Sequence, residues 1–200
     1  MKDITEKILL LIISFILGSI PFGIIVAKIK GVNLRKVGSG NIGATNVLRS
    51  LGKWPAFLTL FGDVLKGTAA VAIGKFLGVG PVYEGLIGLS AILGHNFSIF
   101  LRFRGGKGVA TGLGVFLIYA PRVALFTLGI WIIIVMLTKY SSLGAIVSFG
   151  LLPVNLALFD SGYRQKLLVT VLVTILILTR HEDNIRRLIK GTERKIGQRE

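Results

Sequence analysis

The sequence has no cysteine and only two histidines among its 200 residues. The first absence excludes disulfide scaffolds, thiol nucleophiles and Cys-ligated metals. The second leaves too few ligands for a His-built centre, so neither a metal nor a cofactor is expected. Charge is also sparse, at 16% of residues against roughly 25% in a soluble domain. A chain so poor in charge cannot cover itself with a water-facing surface, which rules out ordinary soluble enzymes and disordered chains. Acid is scarcer than base: nine Asp and Glu face 24 Lys and Arg, for a formal net charge of +15. What abounds is apolar, 52% of residues with a mean hydropathy of +0.77. These residues gather in long blocks separated by basic loops, the pattern of an all-α integral membrane protein. The basic loops therefore read as partners for membrane lipids or a phosphorylated substrate, not for nucleic acid.

Seven apolar segments are expected as spans: 8–29, 56–78, 82–100, 109–120, 123–137, 143–158 and 167–179. Pro121-Arg122 is either a turn or a kink within one long span, and charge decides. With a turn there, the loops Lys28–Lys53 and Arg102–Lys107, Lys139 and the tail from Arg180 to Arg199 carry seventeen cations on one face. The other face carries six, between Lys2 and Lys166. Fusing the two segments would move the basic tail to the charge-poor side. The positive-inside rule thus predicts one polytopic domain over 1–200, with seven spans, N-terminus outside and C-terminal tail 180–200 cytoplasmic. No small-residue cleavage pattern follows the first block, so no cleavable signal is expected. The outward turns Val79-Gly80-Pro81 and Pro121-Arg122 are too tight to hold a site, which puts the chemistry on the cytoplasmic side.

Three inward segments carry that chemistry. The first runs from Gly38 to Arg49, and its glycines, Gly40 and Gly43 among them, let backbone N–H groups approach an anion. Ser39, Asn41, Thr45 and Asn46 add neutral hydrogen-bonding groups, and Arg49 offers a fork for phosphate. A helix starting near Ile42 would add its dipole. The second contains Gly94-His95-Asn96 and then Gly105-Gly106-Lys107-Gly108. It fails as a Walker A loop, because Leu101 stands at the earlier glycine and Gly108 follows the lysine. It still holds a glycine backbone and a Lys point charge. The third begins Arg180-His181-Glu182-Asp183-Asn184 and continues as an amphipathic segment with Ile185, Leu188 and Ile189 on one face. This predicts an interfacial helix ending near Gly191. Within the second span, Asp63 and Lys66 share a helical face at i, i+3, as an internal pair or as part of a substrate site.

Taken in order, these segments resemble the bacterial membrane acyl-phosphate:glycerol-3-phosphate acyltransferases, the PlsY family, over nearly the whole chain. The resemblance rests on Ser39-Gly40-Asn41-Ile42-Gly43-Ala44-Thr45-Asn46-Val47-Leu48-Arg49, on Gly94-His95-Asn96-Phe97 with Gly105-Gly106-Lys107-Gly108, and on His181-Glu182-Asp183-Asn184 with Gly191-Thr192-Glu193. Asp63-Val64-Leu65-Lys66-Gly67 also fits. The third motif usually reads His-Arg-x-Asn, so Glu182 departs from it. The resemblance implies transfer of an acyl group from acyl phosphate to sn-glycerol 3-phosphate at the bacterial cytoplasmic membrane. It assigns substrate binding to Ser39, Arg49, Gly105, Gly106 and Lys107, activity to His181 and Asn184, and a mainly structural role to Glu193.

The resulting catalytic candidates are His181, Asn184, Lys107 and Arg49. Ser39, Gly40, Asn41, Gly43, Thr45, Asn46, His95, Asn96, Gly105, Gly106, Gly108 and Lys66 are candidate substrate contacts, with Asp63 and Glu193 as structural neighbours. The His-x4-Asp dyad of soluble-type acyltransferases is absent, since Phe100 and Arg186 stand five residues beyond the two histidines. The general base is then His181 or a substrate phosphate oxygen. The main alternative function is an organic-phosphate transporter; a non-catalytic lipid-binding scaffold would leave the glycine and amide loops without a use.

Overall fold

The computed structural model describes residues 3–197; Lys2 and Arg199, both counted in the charge balance above, lie outside the described residues. Eleven α-helices occur among them: α1 (Ile4–Ser19), α2 (Phe22–Ile29), α3 (Ala44–Leu51), α4 (Lys53–Phe76), α5 (Pro81–Asn96), α6 (Val109–Tyr119), α7 (Pro121–Thr138), α8 (Ser141–Gly150), α9 (Leu152–Phe159), α10 (Tyr163–Thr179) and α11 (Glu182–Ile189). The first expected span is α1 and α2, interrupted where Pro21 removes a backbone donor and holds Ile20 out of helical geometry. The sixth is α8 and α9, bent by 48° just before Pro153. Pro121 opens α7 immediately after α6 ends, and the two helices pack on each other, so this proline separates two elements.

Among the described residues, four stretches are long and apolar enough to cross a membrane: Ile4–Ile29, Lys53–Phe76, Pro81–Leu101 and Pro121–Thr138. The bent pair α8–α9 makes a fifth if it is one span. The helices at the other two expected spans, α6 and α10, have 11 and 17 residues, about 16 and 26 Å at 1.5 Å per residue.

Glycine sets the closest helix crossings. A Cβ on Gly18 would stand 2.0 Å from the Ala91 carbonyl oxygen, and one on Gly94 would stand 2.1 Å from that of Phe15, so α1 and α5 meet backbone to backbone. Gly67 and Gly114 do the same for α4 and α6, at 2.2 Å from Thr111 O and 2.1 Å from Val64 O. Lipid tails are as apolar as leucine, so such small-residue contacts drive association where hydrophobic burial cannot. Val71, Ile92, Val115, Phe116, Phe149, Leu156, Val173 and Ile177 form the largest buried cluster, while Ile8, Leu9, Ile12, Ile133, Met136 and Leu137 face outward. Greasy outside as well as inside, the fold is suited to lipid.

Candidate active site

The three polar segments meet at one end of the bundle, around a cavity of about 980 Å³. Four helices begin on it. Gly43, Ala44 and Thr45 open α3; Gly108, Val109 and Ala110 open α6; Ser141 and Ser142 open α8; His181 to Asn184 open α11. Their N-cap residues are Gly43, Gly108, Tyr140 and His181, and none caps its helix with a side chain. The first N–H groups of a helix have no partner within it, and its N-terminus carries roughly half a positive charge. Uncapped N-termini converging on one cavity make an anion site from backbone alone. Arg49, Lys107, Arg180, Arg187 and Arg194 line the same space.

Helix α3 starts at Ala44, two residues later than the sequence suggests, because Asn46 folds the preceding loop. Its Oδ1 accepts the Ser39 N–H at 2.8 Å, and its Nδ2 donates to the carbonyls of Asn41, Val37 and Leu34 at 2.8, 3.1 and 3.3 Å. The amide is thereby committed to holding the glycine loop in shape. Ser39, Gly40, Asn41, Gly43, Thr45 and Arg49 reach the cavity, with Thr45 Oγ1 3.1 Å from Ser141 Oγ and Arg49 donating to the Arg194 carbonyl at 3.0 Å.

The second and third motifs interlock. Lys107 Nζ donates to Asn184 Oδ1; Asn184 Nδ2 donates to Glu193 Oε1 at 2.7 Å. Glu193 also accepts from Ser142 Oγ at 2.8 Å and from Arg187 Nε at 2.8 Å, its side chain 6% exposed. Arg180 donates twice to the Gly106 carbonyl, both at 3.2 Å. Burial, with the Arg187 guanidinium nearby, lowers the Lys107 ammonium to about 8, so it is still mostly charged at neutral pH. Arg187, Ser142 and Asn184 hold the Glu193 carboxyl below its ordinary value against the opposing effect of burial.

His181 is 3% exposed, and its Nδ1 lies 2.7 Å from the Ile177 carbonyl. A carbonyl only accepts, so Nδ1 carries the proton and Nε2 of the neutral ring is an acceptor. Burial, followed by the neighbouring Lys107 and Arg180 charges, depresses His181 to about 4 even though the Ile177 hydrogen bond pulls the other way. The ring is therefore neutral at pH 7 and offers the cavity an acceptor, not a cation.

Of the sequence candidates, Lys66, Asn96 and Gly106 do not line the cavity. Lys66 Nζ sits 2.8 Å from Asp63 Oδ1 and donates to the Ile20 carbonyl at 2.9 Å, where the Pro21 break exposes backbone. Asn96 is buried behind Gly108. Sequence reasoning omitted Arg180, Arg187, Arg194, Ser141 and Ser142 as site residues. Arg180 adjoins His181 and is legible there; the two serines form the first turn of α8, which no motif marks in the sequence.

The other arm of the cavity is apolar. Phe57, Leu60 and Val64 of α4, Leu113 of α6, Leu128 and Trp131 of α7, and Phe149 of α8 line it. Helix α6 packs on both α4 and α7.

The family described as glycerol-3-phosphate acyltransferase matches residues 8–191. The chain is 44% identical over 193 residues to a glycerol-3-phosphate acyltransferase of Rubrobacter xylanophilus, covering 96% of each protein. It is equally identical over 195 residues to one from Thermus thermophilus, covering 98% of each. Among solved structures it is similar to PlsY, an integral membrane glycerol 3-phosphate acyltransferase. The glycerol 3-phosphate form matches with a TM-score of 0.90 at 42% identity over 96% of both chains, and the lysophosphatidic acid form with 0.87 at 41%.

Proposed function

Because this chain belongs to the glycerol-3-phosphate acyltransferase family, we propose that it moves a fatty acyl group from acyl phosphate to the 1-hydroxyl of sn-glycerol 3-phosphate, releasing lysophosphatidic acid and inorganic phosphate. One observation carries the reading: four uncapped helix N-termini and a cluster of cations share a cavity with an apolar arm. Both substrates bear phosphate, and two anions held together repel. Backbone dipoles with Arg49, Lys107 and Arg180 offset that repulsion and stabilise the charge developing on the departing phosphate. The acyl tail lies in the apolar arm and enters it laterally from the bilayer between α4 and α7, both of which line it. Glycerol 3-phosphate arrives from the polar end.

In the transfer, the substrate hydroxyl oxygen bonds to the acyl carbon and the bond from that carbon to the phosphate oxygen breaks. The hydroxyl proton leaves with phosphate. A neutral histidine held near 4 is a weak base, so a substrate phosphate oxygen takes the 1-hydroxyl proton while His181 Nε2 accepts from the neighbouring 2-hydroxyl and so orients the glycerol. A His181→Gln variant, which keeps an acceptor near Nε2, is expected to lose roughly tenfold in turnover. A loss of about 10²–10⁴, typical of removing a general base, would return that role to His181.

The membrane reading is finer than the helix lengths require. The proposal is one polytopic domain of seven spans, with α6 and α10 as short spans, the N-terminus outside, and the cavity and C-terminal tail at the cytoplasmic face of a bacterial inner membrane. Helix α11 lies at the interface, where Ile189, 81% exposed, meets lipid. Cysteine-accessibility mapping of loops 78–80 and 30–43 from either side tests the orientation. Purified protein given palmitoyl phosphate and glycerol 3-phosphate should release phosphate only when both are present. Activity with palmitoyl-CoA alone would overturn the donor and leave the acceptor site standing; radiolabelled glycerol 3-phosphate trapped unmodified in vesicles would point to transport.

A further inference from the structure

Asp63 and His95 sit at the cavity wall, inside the helix bundle, and the proposed chemistry uses neither of them. His95 closes the last turn of α5 and is 4% exposed. Its Nδ1 lies 3.4 Å from Asp63 Oδ1, and Asp63 is in turn paired with Lys66 at 2.8 Å. On its other side the ring touches the glycine loop. A Cβ on Gly106 would stand 2.1 Å from His95 Nε2, closer than any side chain tolerates. The same loop is hung from the end of α5 by its backbone: Gly105 N–H donates to the Asn96 carbonyl and Gly106 N–H to the His95 carbonyl, both at 3.0 Å. Arg180 donates twice to the Gly106 carbonyl. Lys107 is the next residue, and its Nζ reaches Asn184.

We propose that His95, oriented by Asp63, is a positioning residue that fixes the Gly105-Gly106-Lys107 backbone and so presents Lys107 to a substrate phosphate. The imidazole is a rigid plate whose Nδ1 edge faces a buried carboxylate and whose Nε2 edge abuts Gly106. Gly106 lacks a side chain because that plate occupies the space where one would go. Lys66 completes the set by neutralising Asp63 and capping Ile20, which anchors the carboxylate without entering the cavity. Were His95 a substrate contact, its Nε2 edge would not be set so closely against Gly106.

The inference rests on the proposed role of Lys107, and the experiment separates the two. His95→Ala, Lys107→Ala and the double variant are purified in detergent and assayed with radiolabelled glycerol 3-phosphate extracted into lipid. Misplacing an interacting group by about 1 Å costs roughly 10²-fold, so His95→Ala is expected to lower kcat/KM about that much in the otherwise unaltered chain. In the Lys107→Ala background the same substitution is expected to cost less than about threefold, because the group being positioned is gone. His95→Asn, which keeps a donor toward Asp63, should recover part of the loss. Equal losses in both backgrounds would overturn positioning, as would an unaffected His95→Ala. An unaffected Lys107→Ala would instead refute the role given to Lys107. If neither His95 variant gives monodisperse protein, the group belongs to the fold alone and the proposal falls.

Discussion

Replacing Glu193 with alanine and with glutamine gives the sharpest test of how the third motif is held. Oε1 accepts from two buried groups, Asn184 Nδ2 and Ser142 Oγ, and Oε2 accepts from Arg187 Nε. Alanine removes all three and leaves Asn184 and Ser142 buried without that acceptor. At about 1–2 kcal/mol for each stranded group, plus less than 1 kcal/mol for the half-exposed arginine pair, the variant should lose about 3 kcal/mol of stability. Glutamine keeps an acceptor at Oε1 and loses only the arginine pair, so its cost should be about 1 kcal/mol. Turnover should follow the same order, because Asn184 is the partner of Lys107. The assay is thermal unfolding in detergent beside lysophosphatidic acid formation. Since the folded Glu193 carboxyl sits below its ordinary value, its stabilisation is complete above the ordinary carboxylate range. It is lost as pH falls through the depressed value, and that acid loss should vanish in Glu193→Gln. Glutamine as damaging as alanine, or alanine as harmless as glutamine, would refute the reasoning.

Two further outcomes concern the lysines Lys107 and Lys66. Lys107, lowered to about 8, should lose its charge as pH rises, so kcat/KM should fall above about pH 8; in Lys107→Arg that alkaline limb should move upward, as a pH–rate profile would report. Lys66→Met strands the buried Asp63 carboxylate and should cost about 3–5 kcal/mol in thermal stability, with a far smaller penalty when Asp63→Asn accompanies it.

Much of this protein is legible along the chain because membranes impose a one-dimensional rule. Apolar stretches must become helices, so 8–29, 56–78, 82–100 and 123–137 correspond to the four long apolar stretches. Glycine, asparagine and basic residues between them marked the loops that reach the cavity, and Lys107, His181, Asn184 and Glu193 stand together there. Periodicity could not show the break at Pro21 filled by Lys66, nor that Asn46 would spend its amide on its own loop. Both depend on backbone groups from other segments.

Composition and order alone thus determined that the chain is helical and apolar, where its polar loops lie and which residues carry charge. Each follows from local chemistry, since a span or a glycine loop needs only its own neighbours. Tertiary structure decided what those loops become. It brought four helix N-termini to one cavity, lined the apolar arm from α4, α6, α7 and α8, and set Gly106 against Nε2 of His95. These are distances between residues far apart in sequence, and only packing, with its demand that every buried backbone group find a partner, specifies them.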